Sequence, residues 1–505
     1  MTISASLDHP ELLVGPNPLL EGLAPYMPIS KLPAALAREP LKKVPWRELP
    51  PEYRIPLLQL QAQHFCPTSH SVDIAAAIQR AIRGGLVQRN PLAPAEQRRI
   101  NRIAILQAGE NASLRTLQPL ACPASGGILA AETGLGKTTN VLRALEVAAP
   151  NQVIVHGRSE ACGWCRLTQL AYLRAELPSN SSRGGLLASI TGALDAVLSA
   201  DYDRQLRRCT NLDEKIVFVL KHLALHRVGL LVLDEAQPGN LDHCEWQSEF
   251  VRFFLAMMNL GVPMLLCGHP QAFATICTAA QLVRRFSSIG AFFPERAMDD
   301  TATWWSKAFV PGMMRFNVCD QIEDSAAIQQ ASREAAGGIP GVFAIQWKEA
   351  QSIALARGGE RAVLTSKDYL AAQQSAHLQQ LTKMAGWLKG TSTDTQGYTD
   401  LEPSPVVDSQ AVPGESSSQK PKAKSDAQLR RKVVTEVDKL RRRAKRQAAR
   451  DAAKLAKDRE LISTLSPEDL RAGGRTLDIL AGLEKYQQDL PLPPASRTRG
   501  AVSRQ

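Results

Sequence analysis

Aromatic residues are scarce: Phe, Tyr and Trp make up 5% of the 505 residues. A groove that stacks successive unpaired bases needs aromatic platforms, so the composition argues against a stacking-rich single-strand binder. Long apolar runs are lacking as well. The longest, around 230–233 and 262–267, fall far short of the roughly 20 residues of a membrane-spanning helix, and no membrane partner is expected. The first 18 residues carry no basic stretch leading into an apolar core, so no secretory signal is read there. The nine cysteines are scattered, which fits a reducing, cytoplasmic compartment better than a disulfide framework. No internal repeat is found.

What the chain does contain is ample material for a core, 44% apolar residues, and length enough for two or three folded units. Its formal net charge is +11. Residues 420–460 hold 16 basic and six acidic side chains, a local +10. The basic character therefore belongs to one segment, and the remainder is nearly neutral.

Residues 1–56 are Pro-rich and irregular, an arm expected to drape over another part of the fold. Asp73 is read as opening a helix, with Ile74, Ile78 and Ile82 on one face and Gly84-Gly85 as its stop. A second helix follows Pro94, with Ile100 and Ile103 on one side. From about residue 116 short apolar runs alternate with helical stretches, at 128–130, 153–155, 170–173, 230–233 and 264–267. Continuous apolar runs between helices mark buried parallel strands, which predicts an α/β doubly wound sheet. Residues 301–388 read as mostly helical.

The stretch Ala131-Glu132-Thr133-Gly134-Leu135-Gly136-Lys137-Thr138-Thr139 sits between an apolar strand and a helix carrying Val141, Leu142 and Leu145. Strand, glycine-bearing loop, lysine, hydroxyl and helix form the phosphate-binding P-loop pattern. Gly134 and Gly136 let backbone N–H groups curl around an anion. The helix N-terminus adds unpaired donors. Lys137 reaches the β- and γ-phosphates, and the Thr138 hydroxyl is a ligand for Mg²⁺. The first glycine of the strict motif is Ala131 here. Leu230-Leu231-Val232-Leu233-Asp234-Glu235 is an apolar strand ending in two acids, with Asp234 ninety-seven residues after Lys137. Asp234 would hold the metal shell and Glu235 would polarise an attacking water. ATP with Mg²⁺ is the predicted ligand set, with 133–139 and Asp234 as its binding residues.

Adjacent Asp-Glu followed by the apolar strand at 264–267 points to an AAA+ P-loop ATPase. His269 stands at the polar sensor position that ends this strand, where Asn or Thr is usual. It is either that sensor or an ordinary loop histidine. Arg284 and Arg285 lie where an arginine finger would act on a neighbouring subunit's ATP, or else on a solvated helix face. Gly337-Gly338-Ile339-Pro340-Gly341 resembles the turn that opens the second sensor helix of the lid. Gly341 replaces the usual arginine. The expected division is an N-terminal arm and helical region that binds partners (1–115), an AAA+ αβα domain (116–300) and a helical lid (301–389). A disordered linker (390–425) and a basic helical tail (426–505) complete it.

Further elements carry a closer resemblance. They are Asn17-Pro18-Leu19-Leu20-Glu21-Gly22-Leu23, the P-loop, 169–178, Leu194-Asp195-Ala196-Val197-Leu198 with Asp201-Tyr202, Leu233-Asp234-Glu235-Ala236-Gln237, and 254–263 with Asn259 and Gly261-Val262-Pro263. Over roughly 15–380 the chain resembles the TnsC/TniB family of AAA+ transposition regulators. The resemblance implies an ATPase of the bacterial cytoplasm that forms rings or helical filaments on double-stranded DNA with weak sequence preference. It also implies that the protein links a target-selector protein of the TniQ/TnsD type to transposase subunits. Family DNA contacts map to 178–185, with Ser182 and Arg183, and Arg204 belongs to a second group with Arg207 and Arg208. Each of these arginines is either a phosphate contact or a solvated charge. An AAA+ helicase loader or replication initiator is the alternative function.

The tail at 420–460 has an apolar stripe that favours docking onto a transposase subunit, as the family's tails do. A DNA tether and a solvated helix remain open. Cys162-Gly163-Trp164-Cys165 has zinc spacing, Cys66 with His64 and His70 is the only other cluster, and ordinary thiols are the other reading.

Overall fold

The computed structural model describes residues 8–106, 124–178, 182–236, 247–273, 280–299 and 301–388. The linker and the basic tail lie outside these residues. All described residues fall within one compact unit. In chain order the principal elements are α1 (Ser69–Gln88), α2 (Pro94–Ala104), β1 (Gly126–Ala130), α3 (Lys137–Ala148), β2 (Val153–His156), β3 (Leu167–Leu170), β4 (Leu173–Glu176), α4 (Arg183–Leu198), α5 (Tyr202–Leu206), α6 (Leu212–Leu225), β5 (Leu231–Ala236), α7 (Gln247–Asn259), β6 (Met264–Gly268), α8 (Ala280–Phe286) and β7 (Gly290–Phe292). The lid contributes α9 (Ser325–Ala335), α10 (Pro340–Ala356) and α11 (Ser366–Gln374).

Five strands form one parallel sheet in the order β4-β5-β6-β1-β7. Side chains alternate between its two faces, and both faces are covered. Ile128, Leu231, Leu233 and Leu266 join the core under α4, α6 and α7, while Leu129, Val232, Leu265 and Cys267 join the core under α1 and α3. Burial on both sides is why these strands read as unbroken apolar runs.

Two of the expected strands are corrected. Val153 and Val155 are exposed, because β2 pairs antiparallel with β3 in a separate hairpin. The run at 170–173 is the junction between that hairpin and β4. The sheet takes its edge strand from Leu173–Glu176, with Leu173 opposite Leu231 and Glu176 opposite Asp234.

The first helix also differs from its expectation. It starts at Ser69, where the Thr68 and Ser71 side chains form a reciprocal cap, and it runs through Gly84-Gly85. Gly85 is a contact point, since a Cβ there would lie 2.4 Å from the Pro263 ring. Its smallness serves close helix–turn packing rather than a stop.

The N-terminal arm is the draped segment its composition suggests. Asn17 is buried, caps a short helix through Leu19 N–H (3.1 Å) and donates to Leu86 O (3.1 Å). A Cβ on Gly22 would touch Ile154 and His156 of the hairpin. Leu19, Leu20, Leu32 and Leu36 then enter the core under α1 and α3. Farther along, Leu41, Trp46 and Leu58 enter the lid core beside Trp305, Phe343 and Trp347. Arg54 fixes this second half. It donates to Asp320 (2.8 Å) and to Leu49 O (2.7 Å), with its guanidinium 5.4 Å from the Trp46 ring centre. One segment thus packs against both the sheet and the lid. Among the described residues no helix is long and apolar enough to cross a membrane.

Candidate nucleotide site

The site is built at the carboxyl ends of β1, β5 and β6. After β1 the chain turns through Gly134 (φ +84°) and Gly136 (φ +77°), left-handed backbone that suits glycine. Gly136 caps α3, and Lys137 is its first residue. The ammonium of Lys137 donates to the carbonyls of Ala131 (2.7 Å) and Glu132 (3.0 Å), so the loop curls around its own cation. Thr138 Oγ1 donates to Asp234 Oδ2 at 3.0 Å, which joins the hydroxyl to the first acid of β5. The Asp234 carboxylate is almost wholly buried.

Glu235 is held differently. The β5–β6 register shifts between Leu233 and Ala236, and Glu235 has φ +63°, a left-handed backbone unusual for a non-glycine residue. Such a bulge re-aims a side chain, and Glu235 lines the same cavity as the P-loop. The bulge rests on Gly268, where a Cβ would lie 2.1 Å from Ala236 O. Gly268→Ala should therefore destabilise the fold by about 1–3 kcal/mol. A melting temperature equal to the wild type's would show that the bulge does not depend on that contact.

The cavity holds about 670 Å³ and is closed on its far side by the arm and the lid, through His64, Phe65, Cys66, Ala344 and Ile345. His64, Phe65 and Cys66 follow the arm; in the sequence His64 and Cys66 stand out, with His70, only as a cluster of possible metal ligands, not as nucleotide-site residues. His64 Nε2 lies 2.9 Å from Gly312 O, and burial lowers the pKa of the ring. Burial pushes the Cys66 thiol up to about 12. The lid reaches the P-loop directly. Gly341 N–H donates to Gly134 O at 2.9 Å, and a Cβ on Gly341 would stand 3.1 Å from that oxygen. Backbone contact occupies the place where an arginine side chain would leave the helix.

His269 directly follows β6 and is not among the residues that line the cavity. It is buried, and its N–H donates to Ala236 O at 2.7 Å. Arg284 is exposed on α8, whereas Arg285 donates to Asn259 Oδ1 at 2.8 Å within the same chain. The DNA candidates divide between the two ends of α4. Ser182 caps its N-terminus by accepting from Gly185 N–H (3.2 Å), with Arg183 as its first residue. Arg204 lies near the opposite end, where Asp195 accepts from Tyr202 and Asp203 N–H groups. It pairs with Asp201 at 3.6 Å, and Arg207 pairs with Asp203 at 2.7 Å. Cys162 is buried and Cys165 exposed. Among the described residues no group of three or more His, Cys, Asp or Glu side chains could hold a metal ion.

Strand order, P-loop, acidic pair and lid together define an AAA+ P-loop fold. Residues 123–276 match the family model of the AAA domain. Among solved structures, the chain is similar to the Aeropyrum pernix ORC2 protein in ADPNP and ADP complexes, with 14% identity and a TM-score of 0.35 over 54% of this chain and 71% of that one. The Aeropyrum pernix ORC1 protein in complex with DNA gives 17% identity and 0.33 over 61% and 73%. Cdc6p from Pyrobaculum aerophilum gives 12% and 0.33 over 53% and 64%. A search of curated proteins finds no match.

Proposed function

We propose that this chain is an ATPase that assembles on double-stranded DNA in its ATP-bound state and thereby regulates DNA transposition. The observation that carries the reading is the convergence of Lys137, Thr138 and the bulged Glu235 on one cavity, with Asp234 held just behind it by the Thr138 hydroxyl. Lys137 would bind the β- and γ-phosphates in place of the two carbonyls it now holds. Thr138 Oγ1 and Asp234 are the oxygen donors that suit Mg²⁺, which when bound supplies charge neutralisation at the phosphates. Glu235 would accept the proton of the attacking water. His269 would serve as the sensor of the terminal phosphate.

Arg284 is the better of the two finger candidates, since Arg285 is engaged by Asn259 within its own chain. A cation supplied from a neighbour makes the site complete only in an oligomer, a ring or helical filament, and hydrolysis then loosens the interface. Arg284→Ala should leave nucleotide affinity within about twofold and lower ATP hydrolysis about 10³-fold. Wild-type turnover in a coupled phosphate-release assay would remove Arg284 from the role.

The finer reading rests on the TnsC/TniB resemblance. Ser182, Arg183 and Arg204 would contact DNA phosphates. The N-terminal region would meet a target selector of the TniQ/TnsD type, and the basic tail would dock on transposase. A helicase loader or replication initiator would use the same nucleotide residues, so function is decided by what is bound. The test is electron microscopy of the full chain with duplex DNA and a non-hydrolysable ATP analogue. Nucleotide-dependent rings or filaments on DNA that capture transposase are expected. Assemblies that instead capture only a replicative helicase would establish the alternative.

A further inference from the structure

Asp234 Oδ2 is a crowded atom. Besides the Thr138 hydroxyl, it accepts two hydrogen bonds from Arg174 of β4, from Nη2 at 3.0 Å and from Nε at 3.3 Å. The same Nη2 lies 3.3 Å from Glu176 Oε1. The register explains the arrangement. Glu176 stands opposite Asp234 across the parallel β4–β5 pair, with Arg174 two residues before it. Two carboxylates as parallel neighbours on one sheet face repel each other, and the guanidinium between them offsets that repulsion. It also compensates a carboxylate that is buried almost completely and would be costly if left unpaired.

A cation fixed on this oxygen competes with any second cation that approaches it. Arg174 is partly exposed and already touches Glu176, which is mostly exposed. It has a second carboxylate to retain when Asp234 turns to another partner. We propose that Arg174 is a positioning residue that occupies Asp234 in place of the divalent ion and yields it on ion binding, which makes nucleotide affinity only weakly dependent on magnesium. The inference rests on the nucleotide-site reading above. Without magnesium, Arg174 cancels the charge that Asp234 would present to the phosphates. With magnesium, it opposes the ion and retreats to Glu176.

The experiment is fluorescent ADP binding to the full-length chain, once in EDTA and once over a magnesium titration, for the wild type, Arg174→Gln and Arg174→Lys. In Arg174→Gln, affinity in EDTA should fall at least tenfold relative to affinity at saturating magnesium. Its half-saturating magnesium concentration should drop at least threefold. Arg174→Lys keeps the charge but presents one compact ammonium, and it should lie between the two. If Arg174→Gln does not fold, as judged by circular dichroism, the lysine variant alone should still widen the EDTA-to-magnesium ratio about threefold. A ratio identical to the wild type's in every folded variant overturns the inference while leaving the nucleotide site intact. Wild-type protein that binds no ADP in either buffer overturns the nucleotide reading itself.

Discussion

Replacing Lys137 with Ala is expected to lower ATP affinity about 100-fold with little change in folding stability. The ammonium leads α3 into the cavity and is held by two carbonyls of the loop, at 2.7 and 3.0 Å. In the nucleotide complex those contacts pass to phosphate oxygens, each charge-assisted bond contributing about 1.5–3 kcal/mol. A net loss of about 3 kcal/mol corresponds to the hundredfold change. The backbone groups left behind border an open cavity and regain water, so the apo melting temperature should hold. Isothermal titration with a non-hydrolysable ATP analogue measures the effect. Undiminished affinity in a folded Lys137→Ala protein would mean that the phosphates bind elsewhere.

The second large effect is expected at Glu235. Glu235→Gln keeps the size and the bulged backbone but removes the proton acceptor. General-base removal lowers turnover by about 10²–10⁴-fold, and ATP affinity should stay within about threefold because Lys137, Thr138 and Asp234 are untouched. The variant should accumulate as ATP-bound oligomers on duplex DNA, visible as a slow-dissociating species in a filter-binding chase. Normal turnover in Glu235→Gln would assign the base to another residue and leave the strained φ of +63° without a catalytic purpose.

The parts of this site that depend on local sequence were legible. A P-loop is a contiguous string whose glycines, lysine and hydroxyl have separate physical reasons to be there, and the structure places 133–139 around the cavity as the string implies. The strand ending in Asp234-Glu235 was equally readable, because both sheet faces bury its apolar residues. The register shift that separates the two acids was not. It depends on Gly268 of a different strand, and only pairing reveals that a side chain there would meet Ala236 O.

Long-range packing hid the rest. Val153 and Val155 are apolar and β-branched, as buried strands are, yet the hairpin leaves them exposed. His64, Phe65 and Cys66 close the cavity just after an arm whose prolines suppress periodicity, and the His64, Cys66 and His70 cluster pointed to a metal rather than to a nucleotide. Arg174 carried no signal either. An arginine inside an apolar strand becomes meaningful only when the sheet sets it beside Asp234.

In the proposed function, the terminal phosphate at this site decides whether copies of the chain assemble on duplex DNA. Sedimentation velocity of the full-length protein with duplex DNA, loaded in turn with a non-hydrolysable ATP analogue, with ADP and with no nucleotide, tests it most directly. Large DNA-bound oligomers are expected with the analogue alone. A chain that sediments as a monomer beside free duplex in all three conditions would contradict the proposed function.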